Sequence, residues 1–317
     1  MTYDTAGNKI WTPLLVCPNR CGLTGGCNAC MPRYAIKQCD CNKYLNELCP
    51  FCEKRFYEKV TDLQTKQKNK MESIEQFKNK IIQGDCLEVM KEIPDGSIDI
   101  VFTSPPYNLG NQHHTGNKRH RAYDDDMPES EYQQWQIDVL KECFRVLKKE
   151  GSLIYNHKNR IKKSIQITPY QWLLKTPFII KQEIVWFNGS QNFDKIRFYP
   201  MTERIYWLSK APDTKLYNAI NHHDLFGTDE WKAVGTKGSH TRAFPEKMVK
   251  DILSCFPKAE TVLDPFAGSG TVGVACKNLN RNYILIEREP EYCKIAEERL
   301  NNLPTPDTSS VSDKEEK

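Results

Sequence analysis

Residues 261–271 read Thr-Val-Leu-Asp-Pro-Phe-Ala-Gly-Ser-Gly-Thr, which is the pattern of a strand running into a turn of small residues. A helix is predicted to begin at Thr271. Glycines let a backbone approach a ligand closely, and a helix N-terminus offers free N–H groups to a carboxylate or phosphate. A Gly-x-Gly pair alone also suits an ordinary tight strand-to-helix turn, so the neighbouring sequence has to decide.

The next predicted strand ends in an acidic residue. Asn282–Ile286 is an apolar run followed by Glu287, about 20 positions after the turn, the spacing at which a carboxylate accepts hydrogen bonds from ribose hydroxyls. The turn lacks the G-x-x-x-x-G-K-[ST] pattern of a phosphate-binding loop. The two features together predict a nucleoside ligand without phosphates.

Short apolar runs alternate with helix patterns through residues 81–302. Apolar faces after Pro128, Pro245 and Pro290 predict helices. The intervening runs predict buried, mostly parallel strands, at residues 80–84, 98–102, 152–156, 179–187, 204–208, 261–264 and 282–286. The predicted class is α/β and Rossmann-like, with helices on both faces of the sheet, and ligands bind such sheets beyond the carboxyl ends of the strands.

The second predicted strand, residues 98–102, is closely followed by Ser104-Pro105-Pro106-Tyr107. Two prolines fix φ and remove two N–H groups, so the carbonyls beside them are stiffly held and free to accept hydrogen bonds from outside the sheet. We expect the donor to be an exocyclic amino group of a nucleic-acid base. The alternative is a Ser-Pro-Pro turn with a surface tyrosine.

The segments DPFAGSGT (264–271) and TSPPY (103–107) resemble those of amino-group DNA methyltransferases that use S-adenosyl-L-methionine. The resemblance covers residues 81–302, and the order, with the tetrapeptide before the turn, is similar to the β class. Asp85 matches the acid that contacts the cofactor's adenine, Phe244 matches an aromatic that packs on the cofactor, and Pro200–Trp207 matches a late strand. The implied cofactor-binding residues are Asp85, Phe244, Asp264, Pro265, Phe266, Ala267, Gly268, Ser269, Gly270, Thr271 and Glu287.

The resemblance also implies a reaction at Ser104, Pro105, Pro106 and Tyr107. The Ser104 hydroxyl and the Pro105 carbonyl would hold the amine, while Tyr107 would stack on a base flipped out of the duplex. Family members with serine at this position more often methylate cytosine N4, so that target is favoured. Adenine N6 is the alternative, and an RNA base, a protein amide or a DNA-binding role without turnover are further ones.

Eight of the thirteen cysteines lie between Cys17 and Cys52. Two CxxC pairs, Cys27/Cys30 and Cys49/Cys52, have the spacing of tetrahedral metal sites. The pattern predicts two structural Zn²⁺ ions, with disulfides or an iron–sulfur cluster as alternatives. The predicted ligands are Cys17, Cys21, Cys27, Cys30, Cys39, Cys41, Cys49 and Cys52. Whether this module reads DNA or has a structural or protein-binding role stays open.

Composition divides the chain into four predicted parts. They are a cysteine-rich zinc-binding module (1–52), a charged helical connector (53–80), a methyltransferase domain (81–302) and a disordered polar tail (303–317). The five remaining cysteines fall in the third part and are predicted to be buried small hydrophobic residues.

Two basic segments follow predicted strand ends. Residues 108–123 contain Lys118, Arg119 and Arg121 without an acid, and residues 157–163 contain Lys158 and Arg160. We expect these five cations to contact DNA phosphates. The alternative for each segment is an exposed, solvated surface.

The formal net charge is +4, which by itself does not identify a nucleic-acid-binding protein. There is no run of about 18 apolar residues and no signal-peptide pattern, so no membrane contact is expected. The expected partner is double-stranded DNA. A cognate restriction endonuclease and a homodimer are left open, and the expected location is the cytoplasm of a prokaryotic or phage-infected cell.

Overall fold

The computed structural model describes residues 2–3, 9–10, 65, 73–109, 126–189, 198, 201–218, 223–227, 230–231 and 244–303. It divides into two compact units, Met1–Asn69 and Lys70–Lys317. In the first unit, strands β1 (Thr2–Tyr3) and β2 (Lys9–Ile10) pair antiparallel. The eight cysteines predicted to bind zinc lie outside the described residues, and the four-part division of the chain stays a prediction.

The second unit is built on an eight-stranded sheet. Its strands are β3 (Lys80–Gln83), β4 (Ile98–Thr103), β5 (Leu147–His157), β8 (Ile179–Phe187), β9 (Thr202–Ser209), β10 (Leu225–Phe226), β11 (Thr261–Asp264) and β12 (Asn282–Glu287). Their order in the sheet is β10-β8-β9-β5-β4-β11-β12-β3. Strand β9 pairs antiparallel with β5 and β8, whereas the other neighbouring pairs are parallel. The predicted mostly parallel α/β sheet is confirmed.

Five helices of the described part of the chain lie between the strands and a sixth follows the last strand: α1 (Cys86–Glu92), α2 (Glu129–Val146), α3 (Tyr170–Leu173), α4 (Glu246–Ser254), α5 (Thr271–Asn278) and α6 (Pro290–Asn301). A small antiparallel hairpin, β6 (Arg160–Lys162) and β7 (Ile165–Ile167), follows β5. The helices expected after Pro128, Pro245 and Pro290 are present. Among the described residues, none of the helices combines the length and the apolar character needed to cross a membrane.

The central strands bury both faces because their apolar residues alternate between two cores. Val101 and Leu263 belong to the core that contains residues of α1 and α2. Ile100, Phe102 and Val262 belong to the core that contains residues of α4 and α5. The helices therefore cover both faces, as predicted. The five described cysteines are buried and free, as expected: Cys86, Cys143, Cys255, Cys276 and Cys293.

Strand β5 begins at Leu147, five residues before the predicted start at 152. Residues 148–150 (Lys-Lys-Glu) are exposed and read as a connection, because a polar run carries no apolar pattern. The pairing with β4 is irregular between Ile98 and Ile100, where the register shifts. The main consequence for function is that β4, β11, β12 and β3 are successive parallel neighbours, so their carboxyl ends share one edge of the sheet.

Candidate active site

The tetrapeptide and the glycine-rich turn meet because β4 and β11 are adjacent. Val262 pairs with Ile100 and Leu263 with Val101, so the loop after each strand leaves the sheet beside the other. The last residues of the two strands are joined directly: the buried Thr103 hydroxyl donates to the Asp264 carboxylate over 2.8 Å. The two motifs, 161 residues apart, thus form one site.

The turn after β11 is held by hydrogen bonds from its backbone N–H groups. The Phe266 N–H donates to Asp264 Oδ1 over 3.0 Å, and the Ala267 N–H donates to the carbonyl of Ile286 over 2.9 Å. Gly268 and Gly270 have left-handed φ values of 50° and 76°, which favour glycine. A Cβ at Gly270 would also lie 2.7 Å from the Cβ of Ala296 in α6. A side chain there would push α6 away from the turn.

Glu287 ends β12 and closes the turn from the side. Its Oε2 accepts from the Gly268 N–H over 2.7 Å, and its Oε1 accepts from the Glu289 N–H over 2.9 Å. Burial raises the pKa of this carboxyl, while the backbone donors oppose the shift. A carboxylate can accept about four hydrogen bonds, so these backbone donors leave capacity for a ligand's hydroxyl groups.

Asp85 follows β3, the next strand along the edge. Its Oδ1 accepts from the Leu87 N–H at 2.9 Å and from the Glu88 N–H at 3.3 Å, and so caps α1. The Gly84 N–H donates to the Glu287 carbonyl over 3.0 Å. This bond ties the loop that carries Asp85 to the end of β12, as the shared edge predicts.

Aromatic rings border the turn. The ring of Phe244 lies 5.5 Å from that of the buried Phe102 on β4, and the ring of Phe266 lies 5.5 Å from that of Trp135 on α2. On the far side of the turn, Arg299 of α6 donates to the Ser269 carbonyl over 2.5 Å and to the Thr271 hydroxyl over 3.1 Å. The turn and the start of α5 are therefore fixed by α6.

The tetrapeptide Ser104–Tyr107 is organised by a short chain of hydrogen bonds. The Ser104 and Tyr107 hydroxyl oxygens are 2.7 Å apart. Tyr107 donates towards Asn156 Oδ1 at 2.8 Å and Glu203 Oε2 at 3.1 Å. These two atoms can only accept, so the Tyr107 hydrogen is drawn to them and Ser104 donates to the Tyr107 oxygen. The Ser104 oxygen is then left with lone pairs for an outside donor.

The second proline is held by a residue of α2. The Tyr132 hydroxyl lies 2.7 Å from the Pro106 carbonyl oxygen and 2.7 Å from His157 Nε2. Burial lowers the pKa of His157 to about 3, so the ring is neutral. Its Nδ1–H donates to the Lys158 carbonyl over 2.8 Å, and the ring packs against that of Tyr107 with centroids 4.6 Å apart.

Burial raises the pKa of Asp264 from 3.8 to about 7. The unfolded carboxyl ionises near 3.9, so between these values the folded protein binds the extra proton and its stability falls as pH rises. We expect Asp264→Asn, which stays neutral, to remove that fall. Its free energy of unfolding at pH 8 should exceed that of the native protein by a few kcal/mol, since each pKa unit is worth about 1.4 kcal/mol.

Urea denaturation at pH 4, 6 and 8 checks this prediction. The two proteins should be equally stable near pH 4 and should diverge as the pH rises. Gln134→Ala, at an exposed position of α2, is the control; it removes no titratable group and should show no divergence. A constant difference between Asp264→Asn and the native protein across this range would mean that Asp264 keeps an ordinary pKa in the fold.

A model of the N6/N4 methyltransferase family, described as DNA methylase, matches residues 98–298. The chain belongs to the N6/N4 DNA methylase family. The methylase is 34% identical over 266 residues to the Type II methyltransferase M.HinfI of Haemophilus influenzae, spanning 74% of this chain and 72% of that protein. It is 29% identical over 264 residues to the Type II methyltransferase M.BglII of Bacillus subtilis, spanning 72% and 71%.

The fold is also that of a solved relative. The structure of the PvuII DNA methyltransferase, described as cytosine-N4-specific, aligns with a TM-score of 0.57 at 24% identity and covers 71% of this chain and 87% of that one. This likeness shows the fold alone. With the family and its relatives, the methylase transfers a methyl group from S-adenosylmethionine to an exocyclic amine of a DNA base.

The described site fits this cofactor. Glu287 offers carboxylate oxygens where a ribose would be bound, and Asp85 and Phe244 stand at neighbouring positions of the same edge. S-adenosylmethionine supplies an activated methyl group on a sulfonium. The protein's own groups then have to hold the amine, and Ser104 Oγ and the Pro105 carbonyl are the acceptors that the sequence predicts for it. Positioning and preorganised electrostatics of this kind are worth several kcal/mol.

The five cations predicted to contact DNA phosphates do not all face solvent in the structure. Lys118, Arg119 and Arg121 lie outside the described residues. Arg160 is only 4% exposed, and its guanidinium pairs with both oxygens of Glu129 at 2.8 Å. Its charge is therefore used inside the protein, and it is not a phosphate contact. Lys158, which is half-buried, stays a predicted contact.

Asn156, Glu203 and Tyr132 are the site residues that the sequence did not reveal as such. Asn156 and Glu203 lie on β5 and β9, and Tyr132 lies on α2, so each reaches the tetrapeptide from another element. A polar residue at the end of an apolar strand run was the available signal for Asn156, whereas Glu203 stands between Thr202 and Arg204 and carries no such signal. Tyr132 follows the same helical periodicity as the core-packing residues of α2, so the sequence gives no sign that it contacts the tetrapeptide. Among the described residues, none of the His, Cys, Asp and Glu clusters could hold a metal ion.

Proposed function

We propose that the methylase acts on N4 of a cytosine that is flipped out of double-stranded DNA. The observation that carries the proposal is the hydrogen-bond chain from Ser104 to Tyr107 and on to Asn156 and Glu203. In this chain the Ser104 hydrogen is donated to the Tyr107 oxygen, so the Ser104 oxygen can only accept, and a hydrogen of the amine would be its donor. Serine at this position accompanies cytosine more often in the enzymes that the tetrapeptide resembles.

The chemistry explains why two acceptors are needed. The lone pair of the exocyclic amine is delocalised into the base, so the amine is a weak nucleophile. Ser104 Oγ and the Pro105 carbonyl would each bind one of its hydrogens and so localise the lone pair on nitrogen. Base flipping brings the amine to these acceptors, since it cannot reach them inside the duplex.

The test is mass spectrometry of nucleosides from unmethylated duplex DNA treated with the pure protein and S-adenosylmethionine. N4-methylcytosine is the expected product. N6-methyladenine would overturn the choice of base and leave the methyl transfer intact. Methylation of RNA or of a protein amide, without any methylated DNA nucleoside, would contradict the DNA substrate itself.

We further propose that Lys158 and the loop cations Lys118, Arg119 and Arg121 contact the phosphates of this DNA. Their replacement should weaken binding to all sequences and reduce its salt dependence. A cognate restriction endonuclease, a homodimer and a cytoplasmic location stay predictions.

For residues 17–52 we propose two structural zinc ions bound by the eight cysteines. A segment so rich in cysteine and poor in apolar residues needs such cross-links to fold. Elemental analysis of the purified protein should give about two zinc ions per chain. Cys27→Ser should lower that number, whereas Cys293→Ser, at a buried free thiol of α6, should not. A metal-free protein, or one that contains iron, would contradict the proposal.

A further inference from the structure

The β6–β7 hairpin, residues 160–167, projects from the edge of the sheet that carries the active site. It follows the carboxyl end of β5, and β5 is the parallel neighbour of β4. At its base, Arg160 Nη1 lies 3.5 Å from the carbonyl of Asn108, the residue after Tyr107. The hairpin therefore starts beside the tetrapeptide.

The base of the hairpin is fixed rigidly. Besides its two bonds to Glu129, the Arg160 guanidinium lies over the ring of Tyr132, 4.6 Å from its centroid, and Ile167, its cross-strand partner, is buried. A desolvated, bidentate arginine pair of this kind defines one geometry. The tip is consequently presented in a fixed direction.

The tip carries an exposed aliphatic side chain among cations. Lys162 pairs with Ile165 across the hairpin. This pair lies two residues nearer the tip than the Arg160–Ile167 pair, so the side chains of both pairs share one face of the hairpin. Ile165 is 67% exposed, and Lys163 is exposed too. The segment 151–182 contains no acidic residue. A large apolar residue held out from the sheet has no packing role within the described part of the chain.

The turn between the two strands places two residues other than glycine in the left-handed backbone conformation. Lys163 and Ser164 both have left-handed φ values, 50° and 62°. Two successive left-handed residues make the two-residue turn whose twist matches that of paired strands, a place normally taken by Asn and Gly. The result is a narrow tip of two residues between the strands.

We propose that this tip enters the DNA duplex and that Ile165 fills the gap that the flipped base leaves in the stack. Lys162 and Lys163 would contact the phosphates on either side. Apolar side chains inserted between base steps are a general device for stabilising unstacked DNA. The inference rests on the base flipping proposed above, and it names the residue that offsets the loss of stacking.

The test compares two duplexes that carry the enzyme's recognition sequence, which is first read from DNA methylated by the protein. In one duplex the target base is paired, and in the other it faces an abasic site. Ile165→Ala should lower kcat/KM on the paired duplex about tenfold, because the variant can no longer offset the stacking that is lost when the base leaves the duplex. On the abasic duplex, where the base leaves the stack easily, it should stay within about twofold of the native enzyme.

Gln166→Ala is the matched control, since Gln166 is the exposed neighbour of Ile165 on the opposite face of the hairpin. It should leave both duplexes unaffected. If Ile165→Ala loses the same factor on both duplexes, or on neither, the wedge role is overturned. If the native enzyme itself gains nothing from the abasic partner, base flipping fails, and the inference fails with it.

Discussion

Replacing Ser104 with alanine should lower kcat about 10²- to 10³-fold while leaving the affinity for S-adenosylmethionine within about twofold. Ser104 sits at the head of a hydrogen-bond chain whose next member, Tyr107, is 2.7 Å away. Alanine removes the acceptor that would hold one hydrogen of the amine. The loss of one preorganised group at a reacting centre has an effect of this size in other enzymes.

Cofactor binding should be unaffected because the residues expected to bind the cofactor follow other strands. The turn is fixed by Asp264, Ile286 and Glu287, and Ser104 bonds to none of them. Single-turnover kinetics with methyl-labelled cofactor measures the transfer step, and calorimetry measures cofactor binding. Native turnover by the Ser104→Ala enzyme would show that the serine hydroxyl has no role in catalysis.

Tyr107→Phe provides the informative comparison. It keeps the ring, which packs against His157, and removes the hydroxyl that orients Ser104. We expect about a tenfold loss in kcat, which is smaller than for Ser104→Ala because the serine oxygen remains but is no longer held as an acceptor. Equal losses in the two variants would mean that the hydroxyl of Tyr107 acts on the substrate itself.

Much of this site could be predicted from sequence because its motifs are local. The strand, turn and helix at 261–278 carry their own signals: a buried apolar run, glycines at left-handed positions and helix-forming residues after them. The position of Glu287 follows from the next apolar run. Parallel packing then places the ends of neighbouring strands together, so the meeting of tetrapeptide and turn is a consequence of topology.

The residues that sequence reasoning missed are those joined by antiparallel or long-range packing. Glu203 is 96 residues from Tyr107 and reaches it because β9 lies beside β5 and runs antiparallel to it. Arg160 shows the reverse case. In sequence it belongs to a basic cluster, and the half-buried Glu129 that neutralises it lies 31 residues upstream on another element. Charge patterns identify cations, whereas the fold alone determines which of them face solvent.

Glu287→Gln should raise the Kd for S-adenosylmethionine about 100-fold, and kcat at saturating cofactor should change less than about threefold. Both carboxylate oxygens accept backbone N–H groups, from Gly268 at 2.7 Å and Glu289 at 2.9 Å. An amide has one acceptor atom and would turn its NH₂ group towards one of these donors. The affinity falls because one backbone donor is left unpaired, the turn is held less firmly and the ribose loses an acceptor.

The matched control is Glu289→Gln. This neighbouring acid pairs with Arg288 over 3.0 Å, and it contributes its backbone N–H to Glu287, which the substitution preserves. Its Kd should stay native. Equilibrium binding of the cofactor, with thermal unfolding of each apo variant to confirm the fold, checks the contrast. Native affinity in a folded Glu287→Gln protein would contradict the assignment of this carboxylate to the ribose.

If Glu287 binds the ribose, the affinity for S-adenosylmethionine should also depend on pH. Burial raises the pKa of Glu287 above its ordinary value, and a protonated carboxyl resembles the amide of glutamine in having lost one acceptor. Affinity for the cofactor should therefore fall as the pH drops through that raised pKa, and the fall should be smaller in Glu287→Gln. Asp264, whose pKa is about 7, titrates as well. Only the part of the pH dependence that disappears in Glu287→Gln and persists in Asp264→Asn belongs to Glu287.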